Sequence, residues 1–303
     1  MIGHKNKLLL IITFFFILTG CMVVSDKKGS KNLSMSHESF QTHEVVVEED
    51  VSADSSQIVE EEITVLTEED IEKQKFNEEN EAWVKANVNK DFLLGNVVRK
   101  DNPLFVIVDK EHTERNIYLI HPVYEAYKKM YEAALADSVQ LIITSGHRTF
   151  TEQIYEWELR WNDPRTETVF ENEVEKAKFL LQYRAMPGTT RHHWGTDIDL
   201  NSFELAYYQT QEGEKVYDWL KENAAKFGFY QPYTPYDHKR PYGYREEKWH
   251  WSYKPLSRLM LNEYLKLVII NDIVGFKGDI TATIIPVIAL WVCGINPQIN
   301  EID

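Results

Sequence analysis

Residue types that bind zinc recur in two short segments of this 303-residue chain. In the first, residues 187–199, His192 lies seven residues before Asp199. In the second, Glu247 lies three residues before His250. Two histidines and one carboxylate form a ligand set of catalytic zinc sites, which leave a fourth position for water. Because Glu247 is a candidate base for that water, the two segments predict a zinc hydrolase.

The first segment leaves open which of its two histidines faces the metal. His192 and His193 are neighbours, so in an extended chain their side chains point in opposite directions. Gly195 can turn the chain sharply. A strand at 196–200 would then bring Asp199 back toward one histidine.

The second segment must bend for both of its polar residues to reach one metal ion. In a regular strand His250 faces one side while Trp249 and Trp251 face the other. Glu247 and His250 are three residues apart, so a regular strand also separates them. We therefore predict a bend or a bulge near Lys248, a distortion that is common beside active sites.

A third segment, Ser-Gly-His-Arg at residues 145–148, completes a recognisable pattern. The three segments resemble the zinc D,D-carboxypeptidases of bacterial cell walls, the VanY/VanX type, within the wider group that shares its fold with the Hedgehog signalling domain. The family pattern is Ser-Gly-x-Arg, then Ser-x-His-x-x-Gly-x-x-x-Asp, then Glu-x-x-His in a Trp-His-aromatic context. The resemblance spans about residues 95–270, in the same order along the chain.

The resemblance implies a role for each residue of the reaction centre. It implies that His192, Asp199 and His250 bind Zn²⁺. It further implies that Glu247 is the catalytic base and that Arg148 stabilises the oxyanion of the transition state. The implied activity is that of a D-alanyl-D-alanine carboxypeptidase, which hydrolyses peptidoglycan stem peptides in cell-wall remodelling.

The resemblance also implies that Ser145, Gln153 and Thr190 line the substrate cleft. The chain departs from the family at two positions. Thr190 stands where serine is usual, and Asp197 stands where a small apolar residue is common. Asp197 is expected on the same strand face as Asp199. It either supports a metal ligand, which we favour, or competes as a ligand.

The terminal carboxylate of such a substrate needs a cationic or amide-rich pocket. His147, Arg191 and Lys248 are candidates, and the sequence does not choose among them.

Other functions remain open at this stage. Within the same class, the enzyme is an L,D-carboxypeptidase or a peptidoglycan endopeptidase. From another class, it is a non-catalytic, zinc-stabilised cell-wall binding module. Glu247 and Arg148 argue against that module, because binding alone needs no base. A further alternative is a lipoprotein scaffold with a structural metal site. A structural zinc site usually has four protein ligands, and the three ligands found here argue against that alternative.

The N-terminus predicts export and a lipid anchor. Residues 1–21 combine a basic start with an apolar run at 8–18, which is too short to span a bilayer. The run ends in Leu-Thr-Gly-Cys, which resembles a bacterial lipobox and implies a lipoprotein signal peptide with lipidation of Cys21. A secretory peptide or a short membrane anchor is the alternative. We therefore expect a protein of the cell envelope, attached to the membrane through its lipid.

The charge of the chain is concentrated after this signal. Residues 22–80 hold sixteen Asp and Glu against five Lys and Arg, and the whole chain has a formal net charge of −15. An acidic chain is not expected to bind nucleic acid. We predict a flexible acidic tether at 22–90, with a possible surface helix from 68, and a monomeric zinc peptidase domain at 91–303.

The predicted elements favour an α+β fold in which helices flank an antiparallel sheet that carries the zinc site. Strands and helices are mixed without a regular βαβ order. The predicted strands are 104–108, 141–144 and 196–200. The predicted helices are 122–136, 151–161, 171–183 and 214–226, the last ended by Gly228.

Overall fold

Helices and short antiparallel strands alternate in the computed structural model, which describes residues 67–167 and 169–301. The α+β prediction is confirmed. The strands are β1 (Phe105–Ile107), β2 (Tyr118–Ile120), β3 (Ile143–Ser145), β4 (Asp197–Leu200), β5 (Phe229–Tyr230) and β6 (His250–Tyr253). The helices are α1 (Glu68–Asn87), α2 (Lys90–Leu93), α3 (His121–Ala136), α4 (Phe150–Trp161), α5 (Pro164–Glu167), α6 (Glu173–Leu180), α7 (Gln211–Asn223), α8 (Lys254–Leu267) and α9 (Thr281–Ile284).

The larger sheet has four strands in the order β3-β4-β6-β5, each antiparallel to its neighbour. In the β4–β6 register Asp199 lies opposite His250. On the other side of β4, Ser145 lies opposite Asp199, and the register shifts between Ile143 and Ser145. The two central strands therefore carry polar side chains into the interior, and all their residues are buried.

Helix periodicity and capping explain the helices that the sequence predicts. Residues 122–136 correspond to α3, whose buried side chains recur at three- and four-residue spacing against the β1–β2 pair. Residues 151–161 correspond to α4, where Thr149 and Glu152 form a capping box. Helix α7 continues as a 3₁₀ turn at 224–227 and ends at Gly228, whose φ of +83° is left-handed.

The predicted tether extends too far along the chain. Its described part, from residue 67, contains the 20-residue helix α1, which packs against α8 and buries Val84. A capping box between Thr67 and Asp70 starts the helix. The tether boundary at 90 is therefore wrong for this part. The remainder of the predicted tether, with the predicted signal peptide and Cys21, lies outside the described residues.

The end of the chain joins the same core. After α8, residues 268–301 form α9, a π-helical turn at Ile288–Val292 and 3₁₀ turns at Ile270–Asp272 and Pro297–Ile299. Several of the apolar side chains of this segment belong to the main hydrophobic core, among them Ile273, Ile285 and Val292. Among the described residues, no helix is both long enough and apolar enough to cross a membrane.

Candidate metal centre

The sheet register and one glycine turn bring the three predicted ligands together. Asp199 and His250 face each other across β4 and β6. His192 lies in a 3₁₀ turn that ends at Gly195, whose φ is +68°. The distance from His192 Nε2 to Asp199 Oδ2 is 3.2 Å, and that from His250 Nδ1 to Asp199 Oδ1 is 3.5 Å. One ligand atom from each residue lies within 4.8 Å of the others, and all three are buried.

The ring nitrogens of the two histidines that point away from Asp199 have their own partners. His192 Nδ1 lies 2.8 Å from the carbonyl oxygen of Gly146. His250 Nε2 lies 2.9 Å from Asp197 Oδ2. Partners of this kind fix the orientation of metal-binding histidines. His192 Nε2 and His250 Nδ1 are therefore the atoms presented to a shared ion.

The chemistry of the donors fits zinc. Burial raises the pKa of Asp199, but the neighbouring His192 and His250 outweigh it and lower the pKa to about 2, so the carboxyl is ionised at neutral pH. Its Oδ1 atom is buried without a hydrogen-bond partner. An unpaired buried charge is costly, and a cation removes that cost. The set of two histidines and one carboxylate matches catalytic zinc.

Carboxylates also surround the ring of His250. Burial lowers the pKa of His250, but the charge of Asp199 and hydrogen bonds with Asp197 and Glu247 prevail and raise it to about 10. The site is thus strongly attractive to positive charge.

Asp197 contacts a ligand and is not itself in the cluster. Besides His250 Nε2, its carboxylate accepts hydrogen bonds from Arg191 Nε at 3.0 Å, Ser252 Oγ at 2.9 Å and Thr196 Oγ1 at 2.6 Å. Arg191 and Asp197 are both completely buried. These contacts agree with the favoured interpretation, in which Asp197 supports a ligand.

His193 has a different place in the fold. Its Nδ1 lies 2.7 Å from the carbonyl oxygen of Arg148, and its Nε2 accepts from the Gly188 amide at 3.0 Å. Burial lowers its pKa to about 3, so the ring is neutral. His193 therefore holds two loops together, and His192 is the histidine that faces Asp199.

The predicted bend near Lys248 is a turn. The His250 amide donates to the Glu247 carbonyl at 3.3 Å, and β6 begins only at His250. Glu247 Oε2 thereby reaches His250 Nδ1 at 2.9 Å. A cavity opens at the metal cluster and is lined by His192, Asp199 and His250. Trp249 lies outside the strand and also lines this cavity, whereas Trp251 is buried. The expectation that both tryptophans share the opposite face is wrong, because the turn rotates Trp249 out of the strand alternation.

Arg148 lines the same cavity, and two predicted cleft residues hold it. Its Nη1 donates to Gln153 Oε1 at 2.6 Å and its Nη2 to Ser145 Oγ at 3.3 Å. Gln153 is completely buried and also donates to the Ala185 carbonyl at 2.7 Å. Gln153 therefore orients Arg148 from the buried side without lining the cavity, whereas Thr190 lines the cavity directly.

The sequence missed several residues of the cavity wall. None of the three candidate cations for a substrate carboxylate is placed for that role. Arg191 donates its Nε hydrogen bond to the buried Asp197 carboxylate. Lys248 lies over the Tyr217 ring at 4.7 Å, and His147 packs against the ring of Phe105. The missed wall residues carry no motif and come from separate loops; they are Arg184, Phe203, Tyr233 and Tyr244.

Comparison with known proteins finds a family model that matches the central segment. Residues 116–256 match the sequence model of VanY, described as D-alanyl-D-alanine carboxypeptidase. A D-alanyl-D-alanine carboxypeptidase of Enterococcus faecalis is 29% identical over 184 residues, which cover 56% of this chain and 64% of the relative. The inferred carboxypeptidase YodJ of Bacillus subtilis is 31% identical over 191 residues, which cover 58% and 61%.

The match thus spans less than two thirds of either curated relative. Among solved structures, VanY from a VanB-type vancomycin resistance cassette, in complex with Zn(II), is 23% identical with a TM-score of 0.40. The match covers 57% of this chain and 96% of that one.

Proposed function

We propose that this chain, whose residues 116–256 belong to the VanY family, is a zinc-dependent D-alanyl-D-alanine carboxypeptidase that hydrolyses peptidoglycan stem peptides. One observation carries the proposal: the buried cluster of His192, Asp199 and His250 shares its cavity with Glu247 and Arg148. A ligand set, a base and a cation on one cavity are what peptide hydrolysis needs.

The residues divide the reaction between them. His192, Asp199 and His250 would hold the zinc ion, which would supply Lewis acidity toward the scissile carbonyl. Glu247 takes the proton of the attacking water and delivers it to the leaving amine. Arg148, locked by Gln153 and Ser145, donates to the oxyanion that develops at the carbonyl.

The substrate's terminal carboxylate binds Arg184. Arg148 and Arg184 are the two arginines that line the cavity in the described part of the chain. The Arg184 side chain is 35% exposed and lines the cavity, so its guanidinium can meet a ligand there, and its Nε atom lies 3.9 Å from Glu156.

The proposal extends to the location of the protein. Stem peptides lie outside the cytoplasm, which agrees with the export signal that residues 1–21 predict. Lipidation at Cys21 then anchors a monomeric enzyme to the membrane. The acidic segment that follows gives the domain its reach.

The test replaces Glu247 and follows the products by mass spectrometry. With zinc present, we expect Glu247→Gln to keep the bound metal and to slow D-Ala release from a stem pentapeptide by about 10²–10⁴-fold. The matched control is Glu246→Gln, because Glu246 is the adjacent carboxylate and accepts from the Tyr217 hydroxyl at 3.2 Å.

Wild-type rates in Glu247→Gln would exclude Glu247 as the base. The product masses also separate the alternatives. Trimming of a tetrapeptide indicates an L,D-carboxypeptidase, and cleavage of a crosslinked dimer indicates an endopeptidase. A zinc-loaded protein that releases nothing indicates a binding module.

A further inference from the structure

The C-terminal segment, residues 268–301, packs against the loop that carries Glu247. We call that loop, residues 231–247, the base loop. The C-terminal segment lies beyond residues 116–256, the part of the chain that matches the family. Each of the contacts with the base loop described below includes a backbone atom of the segment or of the loop.

The first contact joins Asn296 to the start of the base loop. The Asn296 amide donates to the Pro232 carbonyl at 2.8 Å, and its side-chain Nδ2 donates to the Gln231 carbonyl at 3.2 Å. Gln231 in turn donates through Nε2 to the carbonyls of Tyr233 at 3.0 Å and Glu247 at 3.1 Å. One residue of the C-terminal segment is thus two hydrogen bonds away from the backbone of Glu247.

The second contact runs through Arg240, a buried side chain at the centre of the base loop. Its Nη1 donates to the carbonyls of Tyr242 and Tyr244 at 2.9 Å each, and to that of Gly294 at 3.4 Å. Its Nη2 donates to the Thr234 carbonyl. A single planar cation therefore ties both arms of the base loop to the C-terminal segment.

The third contact is between two glycines. Gly243 has a left-handed φ of +94°, and a Cβ atom on it would overlap the Gly294 carbonyl. A Cβ atom on Gly294 would lie 2.7 Å from the Gly243 Cα and would also meet the Leu290 carbonyl. The two backbones are in direct contact one residue before Tyr244, which lines the cavity.

We propose that the C-terminal segment is a positioning element for Glu247, acting through Gly294, Arg240 and Asn296. Glu247 precedes β6, and its amide donates to the Tyr233 carbonyl within the same loop at 2.9 Å, so the position of its backbone depends on that of the loop. The segment clamps that loop so that the carboxylate stays at the metal centre. This inference rests on the proposed role of Glu247 as the base.

The experiment compares Gly294→Ala with Gly275→Ala. Gly275 belongs to the same segment and has a left-handed φ of +94°, but a Cβ atom there meets nothing within 4 Å. Gly275→Ala therefore carries a backbone cost without a clash, whereas Gly294→Ala pushes the base loop. We expect Gly294→Ala to lower kcat by about 10- to 100-fold, with KM and zinc affinity unchanged, and Gly275→Ala to keep wild-type kcat.

Hydrogen exchange makes the test independent of activity. We expect the amides of the base loop, Glu247 included, to exchange faster in Gly294→Ala but not in Gly275→Ala, relative to the amides of α3. The milder Asn296→Ala variant removes one hydrogen bond and is expected to shift the same amides in the same direction. It is the variant of choice if Gly294→Ala does not fold.

The outcomes are distinguishable. Faster exchange confined to the base loop, together with a fall in kcat, supports the clamp. Wild-type exchange and kcat in both Gly294→Ala and Asn296→Ala overturn it. A wild-type protein that releases no D-Ala defeats the proposed function, while the exchange data still decide whether the segment holds the loop.

Discussion

The two halves of the candidate site are built in different ways. The metal half is carried by β4, β6 and one glycine turn, so the positions of Asp199 and His250 follow from strand register. The catalytic half is carried by the base loop, whose residue Glu247 precedes the strand. Paired strands hold each other in place through their backbone hydrogen bonds, whereas a loop must be held by contacts with another part of the fold. The metal half therefore depends on the pairing of the central strands, and the catalytic half depends on the far end of the chain.

The largest effect is expected from removing a ligand. Asp199→Ala should abolish stoichiometric zinc binding, because it takes away the one carboxylate of the cluster, and D-Ala release should fall below detection. Metal analysis after dialysis measures the first effect. Exchange of the base-loop amides should stay close to that of wild type, since the loop is held elsewhere. Retention of one zinc per chain would show that Asp199 is not a ligand.

A smaller effect is expected at Asp197. Asp197→Asn weakens the hydrogen bond that orients His250, so zinc affinity should fall by about 10- to 100-fold in a chelator competition. The double variant Arg191→Gln, Asp197→Asn is the control, because it leaves no unpaired buried charge. Unchanged affinity in both would mean that strand register alone positions His250.

The smallest effect is expected near the sheet of the metal half and concerns the pH dependence of stability. His147 follows β3 and is buried with both ring nitrogens unpaired, and burial together with Arg99 lowers its pKa. The folded ring is neutral, whereas the unfolded chain binds a proton below about pH 6.5, so stability falls as pH drops below that value. The loss is at most about 1.4 kcal/mol per pH unit.

The matching variant is His147→Phe, which keeps a ring against Phe105. The difference in unfolding free energy between wild type and His147→Phe should shift in favour of the variant between pH 7.5 and 5.5. Denaturant titrations at both pH values measure it. Parallel curves at the two pH values would assign the acid sensitivity to other groups.

The sequence predicted the parts of the site that local patterns encode. Helix α3 follows from apolar spacing, and α4 from its capping box. Both helices depend on neighbours within about one or two turns of chain. The cluster of His192, Asp199 and His250 joins two short motifs that lie far apart along the chain, and the resemblance to a known family predicts that they meet.

The parts that the sequence left undecided depend on distant contacts. The choice between His192 and His193 is made by the carbonyls of Gly146 and Arg148, which accept from different rings. Arg184 and Tyr244 reach the cavity from loops that carry no periodicity. Helix α1 was assigned mostly to a tether because its composition is polar, and only packing against α8 reveals it as part of the fold.

The buried pair of Arg191 and Asp197 also has a consequence for the history of this chain. Without Asp197, Arg191 would be an uncompensated charge with no exposed surface, a state that costs about 3–5 kcal/mol. A neutral pair of residues at 191 and 197 would avoid that cost. Passage between the two states by single substitutions crosses an unstable intermediate, so descendants should inherit both charges or neither. The two positions should covary as one unit in lineages that diverged from this protein.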